Sequence, residues 1–140
     1  MWPFSRKRAR AKEAPGGELG RRGEKLARRI LKKHGLKILA ANYRCPAGEA
    51  DLIALDPSTR KEYGAETIAF VEVKTRRSDR YTDPASAVDA AKRRRLRKIA
   101  DCYLNSREAE GYAVRFDVVS IVLQPGAEPK VRYIPNAFQG

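Results

Sequence analysis

The run Phe70-Val71-Glu72-Val73-Lys74 carries an acid and a base two residues apart inside an otherwise apolar stretch. Strand side chains alternate faces, so Glu72 and Lys74 point one way, Val71 and Val73 the other. Charges at the end of a largely buried element must be paired or bind something. A second stretch, Glu49-Ala50-Asp51-Leu52-Ile53-Ala54-Leu55, places Glu49 and Asp51 at the same i, i+2 spacing. If the two runs form a hairpin around Asp56 to Gly64, the acids converge. Carboxylates from neighbouring strands are a minimal cradle for Mg²⁺ or Mn²⁺, which neutralises a phosphate and activates water. A nearby ammonium can position the nucleophile and stabilise the transition state. Asp51, Glu72 and Lys74 could therefore hydrolyse a phosphodiester. The same spacing would also serve a structural ion pair, Glu72 with Lys74 or Asp51 with an arginine.

These runs need elements to position them. From Glu18 to His34 the positions Leu19, Gly23, Leu26 and Ile30 recur at helical spacing, with Gly35 where a C-cap favours glycine. Glu24 borders the apolar stripe, and Gly20 and Gly23 would let that face approach another element closely. Arg21 and Arg28 could pair with Glu24 instead. Leu36–Tyr43, Glu49–Leu55 and Thr67–Thr75 read as strands, separated by the turn chemistry of Pro46-Ala47-Gly48 and Asp56-Pro57-Ser58. Ser78 to Pro84 reads as an exposed loop. A second helix is predicted from about Ala85 to Asn105, with Val88, Lys92, Leu96, Ile99 and Tyr103 inward and Arg93, Arg94, Arg97 and Lys98 around the rest. A strand at Val114–Leu123 follows, then an edge strand at Val131–Ile134. The order αβββαβ predicts an α/β fold, a mixed β-sheet flanked by helices.

The chain has 140 residues, enough for a single domain. Thirty Lys and Arg against seventeen Asp and Glu give a net charge of +13 and nucleic acid as the expected partner. A surface tuned for solubility is the plainer use of that charge. Two distant cysteines and one histidine provide no zinc or redox motif. No apolar run suffices to span a membrane, and no secretory signal is visible, so the expected setting is the cytoplasm. Residues 1–17 read as a flexible basic tail bearing Trp2 and Phe4, and 18–140 as the domain.

Asp51 followed by Glu72-Val73-Lys74 resembles the PD-(D/E)XK motif of restriction-endonuclease-like nucleases, with Ala50 in place of the motif's proline. Gly20-x-x-Gly23-Glu24, Asn42-Tyr43-Arg44, Gly48-Glu49-Ala50-Asp51-Leu52-Ile53, Phe70 to Arg76, Ala87-Val88-Asp89, Lys92 and Arg115-Phe116-Asp117-Val118-Val119 together resemble the YraN-type family of bacterial proteins. That family is similar in layout to archaeal Holliday-junction resolvases. The resemblance implies a restriction-endonuclease-like core with Glu24, Asp51 and Glu72 as metal-site carboxylates and Lys74 as the catalytic lysine. Lys92 falls where related nucleases often carry a Gln, and Glu49 has no assigned role.

Three functions fit this reading. The first is a Mg²⁺- or Mn²⁺-dependent endonuclease acting on DNA ahead of RNA, at branched structures, where junction cleavage would suit a homodimer. Arg76, Arg77, Lys92, Arg93, Arg94, Arg97 and Lys98 would bind the nucleic acid. The second is a catalytically silent nucleic-acid-binding module with the same fold. The third is an interaction protein for an acidic partner, anchored through the tail.

Overall fold

The computed structural model describes residues 17–78 and 89–138. Helix α1 spans Glu18–Lys33, β1 Lys37–Cys45, β2 Gly48–Asp56, α2 Thr59–Tyr63, β3 Thr67–Arg76, α3 Ala90–Ser106, β4 Ala113–Val122 and β5 Lys130–Phe138. The strands form one sheet in the order β1-β2-β3-β4-β5. β1, β2 and β3 are antiparallel in succession, β3 and β4 parallel, and β4 and β5 antiparallel. The parallel step needs a long crossover, within which α3 lies. The expected mixed sheet with flanking helices is thus the observed architecture.

Alternation along the strands builds two cores. Ile53, Leu55, Ile68, Phe70, Phe116 and Val118 pack with Leu96, Ile99 and Tyr103 of α3. Leu52, Ala54, Ala69, Val71, Val119 and Ile121 pack with Ala27 and Leu31 of α1. The two helices therefore cover opposite faces. In α1 the ridge Gly23, Ala27 and Leu31 is buried, and Gly35, at φ 85°, ends the helix as expected. A Cβ on Gly23 would lie 2.0 Å from Thr75 Oγ1, so α1 sits directly on β3 there. That is the close approach expected of this helix face, made at Gly23. In α3, Leu96, Ile99 and Tyr103 of the expected inward row are buried, and Asp89 caps the helix by accepting from Lys92 N at 2.8 Å.

Two elements exceed what the sequence suggested. Helix α2 interrupts the β2–β3 connection without apolar periodicity; local polar contacts hold it. Asp56 Oδ1 accepts from Ser58 N at 3.0 Å and Ser58 Oγ at 2.6 Å, while Thr59 Oγ1 reaches Ala65 O and Thr67 Oγ1, each at 2.8 Å. β5 continues beyond Ile134 to Phe138, whose ring stacks on Phe116 with centroids 5.3 Å apart. Pro135 is tolerated because β5 is an edge strand. No helix among the described residues is long and apolar enough to cross a membrane. The expected tail, apart from Gly17, lies outside the described residues, as do Val88, the expected helix start at Ala85 and the 79–84 part of the loop.

Candidate metal and nucleic-acid site

The β2–β3 ladder ends at Leu52 opposite Val71, while β3 stays paired with β4 as far as Arg76 opposite Val122. Where β2 and β3 part, the side chain of Asp51 replaces the backbone: its Oδ2 accepts the Val73 N–H at 2.8 Å. Local chain geometry explains why Asp51 is available. Tyr43 pairs with Ala50 and Ala41 with Leu52, leaving Asn42 and Asp51 abreast, and Asn42 adopts the left-handed conformation at φ 51°. The core alternation breaks at this point, since Ala50 and Ile53 both pack beneath α3.

The Asp51 and Glu72 carboxyls lie within hydrogen-bond reach of one another. Burial first, and the Glu72 charge second, push Asp51 up to about 7 from 3.8, although the Val73 N–H and the Lys92 ammonium oppose this. Glu72 is buried and meets two ammonium groups. Lys74 Nζ is 3.4 Å from Glu72 Oε1, and Lys92 Nζ, reaching down from the first turn of α3, donates a hydrogen bond to the same oxygen. Burial and then the neighbouring Lys92 hold Lys74 below the ordinary lysine value. For Lys92 burial acts downward, but the hydrogen bonds with Glu72 and Lys74 outweigh it and raise the ammonium's proton affinity.

The fold thus brings Asp51, Glu72, Lys74 and Lys92 together. The ion pair weighed as an alternative exists, with Lys92 as the nearer partner of Glu72. Glu24 Oε1 accepts from Arg28 at 3.0 Å and from Nδ2 of Asn42, the residue abreast of Asp51, at 3.5 Å. Among the described residues no three acidic, histidine or cysteine side chains cluster closely enough to hold a metal. The Asp51–Glu72 pair by itself fits one hard cation, because a divalent ion would relieve the repulsion between two adjoining carboxylates, one of them held against its charge by burial. Glu49, 3.4 Å from Arg44 Nε, pairs across the β1–β2 hairpin.

The pattern described as "Uncharacterised protein family UPF0102" matches residues 23–121. The chain belongs to the UPF0102 family. The matched span runs from Gly23 in α1 to Ile121 near the end of β4. A UPF0102 protein of Nocardia farcinica is 43% identical over 120 residues, covering 86% of this chain and 88% of its own. One from Solibacter usitatus is 46% identical over 121 residues, covering 85% and 84%. One from Geobacter metallireducens is 42% identical over 121 residues, covering 86% and 92%.

Within this UPF0102 chain the expected nucleic-acid residues divide. Arg77, Arg94, Arg97 and Lys98 are exposed, whereas Arg76 is half-buried. Arg93 is half-buried too and lies over the Phe138 ring at 5.3 Å, so it also packs. A second polar cluster escaped functional reading of the sequence. Fully buried Asp117 accepts from Arg115 Nε at 2.9 Å, Arg115 Nη2 at 3.0 Å, Tyr133 Oη at 2.5 Å and Asn136 N at 2.8 Å. Arg115 Nη1 also donates to Asp56 Oδ2 at 2.9 Å. Arg115-Phe116-Asp117 was visible as a motif, but its partners come from β2 and β5. This network ties the edge strand to the sheet.

Proposed function

We propose that this UPF0102 protein is a nucleic-acid-binding, divalent-metal-dependent endonuclease that hydrolyses phosphodiesters. The observation that carries this reading is the pair of adjoining carboxylates, Asp51 and Glu72, ringed by the ammonium groups of Lys74 and Lys92. Asp51 and Glu72 would hold a Mg²⁺ or Mn²⁺ ion, which when bound supplies charge neutralisation at phosphate and an acidified water. The Val73 N–H fixes the direction of the Asp51 carboxylate before any ligand arrives. Lys74, held below the usual lysine value, needs less driving to give up a proton than an exposed lysine, and its ammonium form can stabilise charge on the reacting phosphate. Lys92 balances Glu72 while no other cation is present. The likeness to junction resolvases favours DNA with a branch or flap in the cytoplasm; symmetric junction cleavage would require two copies.

Purified protein is expected to cut labelled flap or four-way DNA only with Mg²⁺ or Mn²⁺. Asp51→Ala and Glu72→Ala should abolish cutting while circular dichroism remains that of the wild type. Equal cutting by wild type and both variants would discard the assignment. One observation favours a silent binding module: the Lys92 ammonium already sits on Glu72. In that case EDTA would leave DNA affinity unchanged and Mn²⁺ would show no saturable binding.

A further inference from the structure

The expected nucleic-acid footprint lies on α3 and the end of β3, but α1, on the other face of the sheet, is equally basic. Its sequence ELGRRGEKLARRILKK holds seven cations against two acids, a net of +5. The α3 sequence AAKRRRLRKIADCYLNS holds six against one, also +5. Together these helices account for most of the chain's +13.

The α1 charges are arranged at an internal cost. Arg21–Lys25, Lys25–Arg29, Arg28–Lys32 and Arg29–Lys33 are like-charge pairs at i, i+4, each destabilising a helix by roughly 0.2–0.5 kcal/mol. A helix tuned only for solubility would intersperse both signs along its outer side. Glu24 pairs with Arg28 and Glu18 stands at i, i+4 from Arg22, against which Arg21, Arg22, Lys25, Arg29, Lys32 and Lys33 are all exposed. The helix is also seated beside the site. Gly23 presses on Thr75, the residue after Lys74, so Arg21, Arg22 and Lys25 lie within a turn of the helix's contact with the site strand. Arg77 continues the basic surface from the end of β3. Across the sheet, Arg94 and Arg95 are exposed within a turn of Lys92.

We infer that the outer face of α1 is a second nucleic-acid-binding surface, so that the phosphate backbone is held from both faces of the sheet at the Asp51–Glu72 end. This rests on the nucleic-acid reading above and extends it. With one helix layer on each face, two packing layers of roughly 10 Å put the helix axes about 20 Å apart and their outer, basic faces on the order of 30 Å apart. A nucleic acid reaching both must bring phosphates around the end of the sheet, with the carboxylate pair between them.

The test is anisotropy of a labelled flap DNA in EDTA, titrated at several salt concentrations. The triple variant Arg21→Gln, Arg22→Gln, Lys25→Gln is compared with Arg94→Gln, Arg97→Gln, Lys98→Gln. A control, Arg60→Gln with Lys61→Gln, removes exposed charge from α2, beyond the opposite end of β2. Each lost phosphate contact should reduce the slope of log K against log salt by about 0.9. The α1 and α3 triples should each lower it by roughly two to three, while the α2 pair leaves it near wild type. If the α1 triple behaves like the α2 pair while the α3 triple lowers the slope, the second surface is refuted and the nucleic-acid reading stands. If wild-type protein shows no salt-dependent affinity, the nucleic-acid reading itself fails.

Discussion

The ammonium of Lys92, from the first turn of α3, rests on the carboxylate of Glu72, from β3, and so joins a helix to the strand on which the proposed chemistry depends. A divalent ion entering between Asp51 and Glu72 would compete with that ammonium. Lys92→Met should therefore bind Mn²⁺ more tightly than wild type, by about tenfold, near 1.4 kcal/mol. Electron paramagnetic resonance of free Mn²⁺ measures this directly, without a substrate. Weaker binding would assign Lys92 a supporting role at the ion instead.

The adjoining carboxylates make a second prediction. Mg²⁺ that binds only the folded protein should stabilise it, by about 2.7 kcal/mol at a hundredfold excess over Kd. Thermal unfolding with and without Mg²⁺ reports this shift. Asp51→Asn should abolish the shift while leaving the metal-free protein no less stable, since it removes one of two neighbouring negative charges and keeps an oxygen for the Val73 N–H. An undiminished shift would place the ion elsewhere.

Gly23 and Thr75 supply a third. A methyl on residue 23 cannot share space with Thr75 Oγ1 at 2.0 Å, so Gly23→Ala must lift α1 from the sheet. Overpacking of this kind costs about 1–3 kcal/mol, readable as a lower urea midpoint. Thr75→Ala in the same chain should recover part of that loss. Unchanged stability would mean that α1 is not anchored there.

The Arg115 network predicts an acid limit. Burial would raise the Asp56 pKa, but hydrogen bonds from Ser58 and Arg115 outweigh it and hold the carboxyl below 3.8. The folded state then binds this proton less readily than the unfolded chain. The resulting stability is present above the unfolded value and drains away as pH falls through the lower, folded one. Arg115→Gln should flatten this acid dependence. It should also cost about 3–5 kcal/mol at neutral pH, because Asp117 would remain buried without its cation. Urea titrations at pH 3 and pH 7 separate the two effects.

Local pattern carried most of the fold. The helical spacing from Leu19 to Ile30 and the β-branched run of β3 were visible because burial imposes one period along a single segment, although the buried ridge is Gly23, Ala27 and Leu31, with Leu19, Leu26 and Ile30 half-buried at its border. Helix α2 was not, because the contacts that hold it, Asp56 with Ser58 and Thr59 with Thr67, lie in polar side chains without periodicity. The i, i+2 spacing brought Glu72 and Lys74 to one face, and hairpin logic brought Asp51 beside them. That Lys92 would choose Glu72 could not be read, since the partner depends on how far α3 slides across β3. Asp117 was opaque for the same reason: its partners lie on its own strand and on β5, in a register no local signal specifies.

The hairpin stops one rung short of Asp51, and that shortfall makes the acid available. Had β2 and β3 zipped a little further, the Val73 amide could have found a backbone partner and the carboxylate would have lost its anchor. The length and register of the connection through residues 57–66 therefore govern the chemistry from the far end of the sheet. A one-residue insertion there that slipped the pairing would turn the acid toward the opposite layer without altering a single residue of the site.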